Sequence, residues 1–116
     1  MIVDDDPVIR DITRMILEKS GFRIVAEAND GIEAVAKYFE MRPQVTLMDV
    51  CMPNKNGIDA TKDIVSCDKN AKVVMCSALD HEALVKVGQE AGAKDVISKP
   101  YIFNQLRNVI HRVMQV

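Results

Sequence analysis

No stretch of this sequence approaches the roughly 20 consecutive apolar residues that a membrane-spanning helix needs. The first residues also lack a basic region leading into an apolar stretch, so a secretory leader is not expected. Membrane insertion is therefore not expected, and the cytoplasm is the expected location. An excess of one charge sign is missing too, since 15 Lys and Arg stand against 17 Asp and Glu, a net charge of -2. That balance removes the basic stripe of a nucleic-acid binder and the acidic tail of a disordered chain. Cysteine is scarce and unpatterned: Cys51, Cys67 and Cys76 form an odd set with no CxxC. His81 and His111 stand apart from them and from each other, so no thiolate or imidazole metal site is expected. The cysteines read as small reduced hydrophobes. Linkers, low-complexity tracts and internal repeats are absent as well. A chain of 116 residues can bury one core but not two, so residues 1–116 are read as one domain.

What is present is an alternation of two hydrophobic periods. Short β-rich runs occur at "MIV" (1–3), "RIVAEA" (23–28), "QVTLM" (44–48), "KVVMC" (72–76) and "DVIS" (95–98). Helical patterns lie between them. The first is capped by Asp6, with Pro7 at the first helical position, where its missing N–H costs nothing; Ile9, Ile12 and Ile16 then share a face and Gly21 ends it. The second follows Asn29 or Asp30 with Gly31, Val35 and Tyr38 on one side, and stops before Pro43. A third starts near Gly57 with Ala60 and Ile64 inward. The fourth is capped by Asp80, runs Leu84, Val87, Ala91 and ends at Gly92. The fifth places Leu106, Val109, Ile110 and Val113 at i, i+3, i+4 and i+7. Strand then helix, five times over, predicts a parallel sheet with right-handed crossovers and helices on both faces. The run "MIV" is short beside the ~5 residues typical of a strand, which predicts a few further residues ahead of Met1.

A segment patterned as a buried strand ends on a carboxylate in "TLMDVCMPNKNG" (46–57). In an open parallel sheet, ligands bind beyond the carboxyl ends of the strands. Asp49 sits at such an end, as do Asp4 and Asp5 after the first strand, Ser77 after the fourth, and Lys99 before Pro100 after the fifth. Taken singly, each has a plain explanation: helix-start acids, a turn aspartate, a surface lysine. Together they bring three carboxylates, a hydroxyl and an ammonium to one rim, which a solvated loop has no need of. Crowded carboxylates repel unless cations sit among them. An all-oxygen set with few fixed positions suits Mg²⁺, with Mn²⁺ as the other candidate. A carboxylate with an oxygen to spare can attack phosphorus, with Lys99 and Ser77 holding the remaining oxygens of the transferred group. The site reads as an aspartyl phosphoacceptor.

The motifs "IVDDDP", "LMDVCMPNKNG", "MCSAL" and "EAGAKDVISKP" occur in this order, and over essentially the whole chain they resemble the receiver domains of two-component response regulators, the small chemotaxis-type regulators above all. The resemblance implies a flavodoxin-like (βα)5 three-layer sandwich whose five parallel strands run in the order 2-1-3-4-5. It implies that Asp49 is the phosphorylated residue, Asp5 a direct Mg²⁺ ligand, and Asp4 a ligand acting mainly through water. Cys51 falls where the family's third protein ligand is a backbone carbonyl. Ser77 matches the switch hydroxyl, Lys99 the phosphate-contacting lysine, and Pro100 the cis proline that turns this lysine inward.

Two positions depart from the pattern. Val96 stands where many members carry an aromatic ring that turns inward on activation, which predicts that loop displacement replaces ring rotation. Leu79 stands where chemotaxis members often carry a polar or acidic group, which predicts altered water access. The implied partners are a histidine kinase or phosphotransfer domain and a downstream protein on the face of the fourth helix, fifth strand and fifth helix. The exposed candidates on that face are Leu79, His81, Val96, Tyr101 and Phe103. No direct nucleic-acid contact is expected, and the chain is expected to be a monomer or a weak phosphorylation-dependent dimer. It would catalyse only its own phosphorylation and dephosphorylation. A receiver excised from a larger regulator with a DNA-binding or enzymatic output domain is the alternative. A haloacid dehalogenase-type phosphatase would want a second acid where Cys51 stands. A flavodoxin-like electron carrier would want a phosphate-binding loop where Asp4, Asp5 and Asp6 would repel FMN.

Overall fold

The computed structural model describes residues 1–101 and 103–115. Ten elements alternate: β1 (Ile2–Val3), α1 (Pro7–Lys19), β2 (Glu27–Ala28), α2 (Gly31–Met41), β3 (Thr46–Asp49), α3 (Gly57–Cys67), β4 (Val73–Ser77), α4 (His81–Ala91), β5 (Asp95–Ser98) and α5 (Phe103–Met114). The strands form one parallel sheet in the order β2-β1-β3-β4-β5, the flavodoxin-like arrangement that the motifs imply.

Side chains alternate across the sheet, so each strand feeds both faces. Ile2, Leu47, Val74, Cys76 and Ile97 point to a core completed by Leu17 of α1 and Leu106, Val109, Ile110 and Val113 of α5. Val3, Met48 and Val73 join Ala34 and Tyr38 of α2 and Ala60 and Ile64 of α3 on the other face. Met75, Leu84 and Ala91 form a third cluster under α4. Leu106 is fully buried at the centre of the first of these. A Leu106→Ala chain should lose roughly 2–5 kcal/mol of stability, the range for emptying a buried leucine site; urea denaturation of the two proteins measures it.

Helix ends follow local chemistry. Asp6, Asp30, Asn56 and Asp80 each accept a backbone N–H of the first turn they cap. Gly21 and Gly92 take positive φ of 89° and 92° beyond α1 and at the end of α4, a conformation that costs glycine nothing.

Three expectations change. The stretch 23–26 carries no ladder of its own, because β1 presents only Ile2 and Val3 and the paired part of β2 shrinks to Glu27 and Ala28. In α1 the buried positions are Thr13 and Leu17, while Ile12 stands 48% exposed. Arg10 and Arg14 pair with Glu27 on one flank of α1, and Thr13 bonds the Tyr101 hydroxyl beneath it. These contacts set the rotation of the helix and leave Ile9 and Ile16 only half-buried. Tyr101 and Val96 are also half-buried rather than exposed. Tyr101 packs into the α1/α5 core and Val96 into the cluster under α4.

Candidate functional site

Strand register alone gathers the site. Val3 pairs with Met48, which sets Asp4 beside Asp49 one residue further up. Asp49 pairs with Cys76, which puts Ser77 one step beyond it on the next strand. Ser77 pairs with Ser98, which puts Lys99 one step beyond on the last. Parallel strands with neighbouring registers thus convert residues 95 positions apart into a single rim.

Asp4 and Asp49 are buried, at 4% and 8% exposure, while Asp5 is exposed. One carboxylate oxygen from each of Asp4, Asp5 and Asp49 lies within 4.8 Å of the others. Lys99 Nζ donates to Asp4 Oδ2 at 2.6 Å and to Asp49 Oδ1 at 3.1 Å. The Lys99–Pro100 peptide bond is cis. Asp4 is held from the other side as well, since Oδ1 accepts the Asp6 N–H at 2.9 Å and its carbonyl accepts Arg10 Nη1 at 2.6 Å. Among the described residues, Lys99 is the side chain that hydrogen-bonds the Asp49 carboxylate, and it does so through Oδ1.

Burial pushes the Asp49 carboxyl above the usual carboxylate range; Lys99 pulls it down, and Asp4 and Asp5 push it up again. Burial works the other way on the Lys99 ammonium, but its bond to Asp4 and the charges of Asp49 and Asp4 outweigh that and raise its pKa. Three carboxylates and one ammonium leave the cluster short of positive charge. Hard oxygen donors with a net negative balance fit a small divalent cation such as Mg²⁺.

Ser77 is the last residue of β4, 5% exposed, and its Oγ accepts the Leu79 N–H at 3.2 Å. The hydroxyl is thus engaged with its own loop and not with Asp49. Cys51 is exposed, with its thiol unpaired, and shares a groove of about 460 Å³ with Asp5, Met52, Pro53 and Asn56. The Cys76 thiol lies inside, where burial pushes its pKa up to about 12 and leaves it inert.

Of the residues expected on the output face, Leu79 and Phe103 are 41% and 37% exposed and His81 is exposed. Val96 touches α4: a Cβ on Gly88 would come within 2.6 Å of Val96 Cγ1. Tyr101 bonds Thr13, and burial pushes its hydroxyl pKa up to about 12. A groove of about 400 Å³ over β5 is lined by His81, Val96, Ser98, Pro100, Gln105 and Arg112 among others.

Sequence reasoning missed what shapes the β3–α3 loop. Gly57 opens α3 directly beneath Asp49, and a Cβ there would fall 1.9 Å from the Asp49 carbonyl oxygen. The available signal was a glycine at a helix start shortly after a strand-end acid, but closeness between backbones has no period to detect.

The response regulator receiver domain family matches residues 1–111. The chain is 42% identical to the chemotaxis protein CheY of Thermotoga maritima, over 97% of this chain and 94% of that protein. It is 40% identical to CheY of Bacillus subtilis, over 98% and 95%. Among solved structures, the CheX–CheY–BeF3–Mg²⁺ complex from Borrelia burgdorferi contains a chain that superimposes with a TM-score of 0.93 at 37% identity, covering 99% of this chain and 87% of that one.

Proposed function

Because the chain belongs to the response regulator receiver domain family, we propose that it accepts a phosphoryl group on Asp49 from a histidine kinase or phosphotransfer domain and acts as a chemotaxis-type switch on a protein partner. The observation that carries this reading is the Lys99 ammonium set between Asp4 and Asp49, beside an acid cluster that includes Asp5. A structural ion pair would need one carboxylate, and a third acid has no place beside it without a further cation.

In this reading Asp5, Asp49, the Cys51 carbonyl and, through water, Asp4 would hold Mg²⁺, which when bound would supply positive charge to the oxygens of the incoming phosphoryl group. Asp49 Oδ2 attacks phosphorus, the new P–O bond forms, and the bond to the donor nitrogen breaks with its electron pair leaving on the imidazole. Lys99 shifts from bridging two carboxylates to pairing with a phosphoryl oxygen. A phosphoryl group adds roughly -1.5 to -2 charge and strong acceptors, so the Ser77 hydroxyl leaves the Leu79 N–H and turns toward it.

Ser77 and Lys99 begin and end the stretch that contains α4 and β5, so α4, β5 and α5 form the element that changes. Val96 fits tightly against Gly88, and a valine has no ring to swing, so loop displacement carries the signal. A partner would read Leu79, His81, Phe103 and the groove over β5. Beryllofluoride with Mg²⁺, followed by backbone amide shifts, tests both halves. Shifts at Asp49 and throughout residues 79–104 are expected. Shifts limited to the immediate neighbours of Asp49 would reject the output face, and none at all would reject the phosphoacceptor.

A further inference from the structure

We propose that the N-terminus of α2, through Asp30 and Gly31, is a latch on the β3–α3 loop, and that Gly31, Asp30 and Asn54 are positioning residues for the cation held beside Asp49. The inference rests on the phosphoacceptor reading above, because that reading makes the Cys51 carbonyl a ligand.

The loop from Val50 to Asn56 has no regular secondary structure. It is closed at its base by the Gly57 N–H, which donates to the Val50 carbonyl at 2.9 Å. Its far side is pinned from outside, by a helix that supplies none of the acids. The Gly31 N–H donates to the Lys55 carbonyl at 2.9 Å. Asn54 Nδ2 donates to Asp30 Oδ2 at 2.9 Å. Asp30 uses its other oxygen to accept the Glu33 N–H at 2.8 Å, so the residue that caps α2 also holds the loop. A missing Cβ at Gly31 permits the approach to Lys55. A Cβ on Gly31 would sit 2.4 Å from the Lys55 carbonyl oxygen and 2.9 Å from the carbon behind it. Asn54 takes φ of +67°, which turns its amide toward α2. The Lys55 ammonium meanwhile pairs with Asp63 of α3, so the loop is gripped between two helices.

A side-chain ligand can correct a small backbone error by changing rotamer, whereas a carbonyl ligand points where its peptide plane points. Aim at Cys51 is therefore set by whatever fixes the loop backbone. Mg²⁺ demands near-octahedral geometry at short distances, while Ca²⁺ accepts longer and more varied ones. A loop displaced by a few tenths of an ångström should therefore weaken Mg²⁺ more than Ca²⁺. A purely structural contact would lower stability without changing that preference. Contacts that orient ligands from outside commonly matter by about 10–100-fold in metal affinity.

The test is calorimetric titration of the full chain with Mg²⁺ and with Ca²⁺, beside thermal melts in EDTA. Gly31→Ala places a methyl against the Lys55 carbonyl. Asn54→Gly keeps the positive φ, removes the amide, and serves if Gly31→Ala does not fold. Val35→Ala loosens the packing of α2 without touching the latch. Mg²⁺ affinity should fall about tenfold in Gly31→Ala and a few-fold in Asn54→Gly, with Ca²⁺ less affected, and stay unchanged in Val35→Ala. Wild-type Mg²⁺ affinity in both latch variants, or losses that track melting temperature in all three proteins, would overturn the latch and leave the phosphoacceptor standing. A wild-type chain that binds no Mg²⁺ would overturn both.

Discussion

An Asp49→Asn chain should take up no acid-labile phosphoryl group from acetyl phosphate or from a histidine kinase. Asp49 is the last residue of β3, 8% exposed, with one carboxylate oxygen 3.1 Å from Lys99. The amide keeps the shape of the side chain and the packing around it. It removes the anionic oxygen that the proposed function assigns to attack on phosphorus, so labelling should be lost with the fold intact. The unlabelled variant should melt cooperatively, and a control with EDTA should abolish labelling of the native chain. Undiminished labelling of the variant, or labelling that survives EDTA, would place the acceptor elsewhere.

The second large effect is expected at Lys99. Replacing it with Met keeps most of the stem and removes the only cation that bridges the acids among the described residues. Two consequences point in opposite directions. Labelling at saturating Mg²⁺ should slow by about 10²-fold, the scale for losing one pre-set partner of the charge that develops in the transition state. Mg²⁺ should bind at least as tightly as before, because Asp4 Oδ2 and Asp49 Oδ1 no longer share their charge with an ammonium. In EDTA the variant should be less stable than the native chain, since Asp4 and Asp49 then face each other unpaired, and Mg²⁺ should restore much of the difference. Single-turnover labelling across a Mg²⁺ series distinguishes these. A defect that disappears with more Mg²⁺ would make Lys99 a structural tether and not a partner of the phosphoryl group.

Several features of this molecule are local and were legible as such. Asp6 with Pro7, Asp80 with Gly92, and the run Leu106, Val109, Ile110, Val113 each carry their signal within a turn or two of chain, so helix starts, stops and buried faces were read where they lie. The placing of acids at strand ends was legible for a related reason. A parallel sheet puts every strand's carboxyl end on one rim, and Asp4, Asp49, Ser77 and Lys99 needed only their strands to be recognised.

Ile12 was misjudged because hydrophobic periodicity reports that a helix has an apolar side, not how far it is rotated against its neighbours. Arg10, Arg14 and Glu27 decide that rotation, and the Thr13–Tyr101 bond uses a hydroxyl to fill a core position. Tyr101 and Val96 were expected at the surface because the resemblance places them on the face of the fourth helix, fifth strand and fifth helix. One is drawn in by a buried partner, and the other is covered because Gly88 lets α4 lie close.

The amino-acid sequence by itself determined the order of the elements, their caps, and the set of residues available for chemistry, since all of these depend on neighbours within a few positions. Only the tertiary structure decided that Lys99 bridges Asp4 and Asp49, that Ser77 is engaged with Leu79, and that the N-terminus of α2 grips the loop after Asp49. Each of those is a contact of about 3 Å; the Ser77 bond is local to its loop, but the other two join remote segments through strand register or a missing Cβ, and distances of that size are set by how whole elements pack.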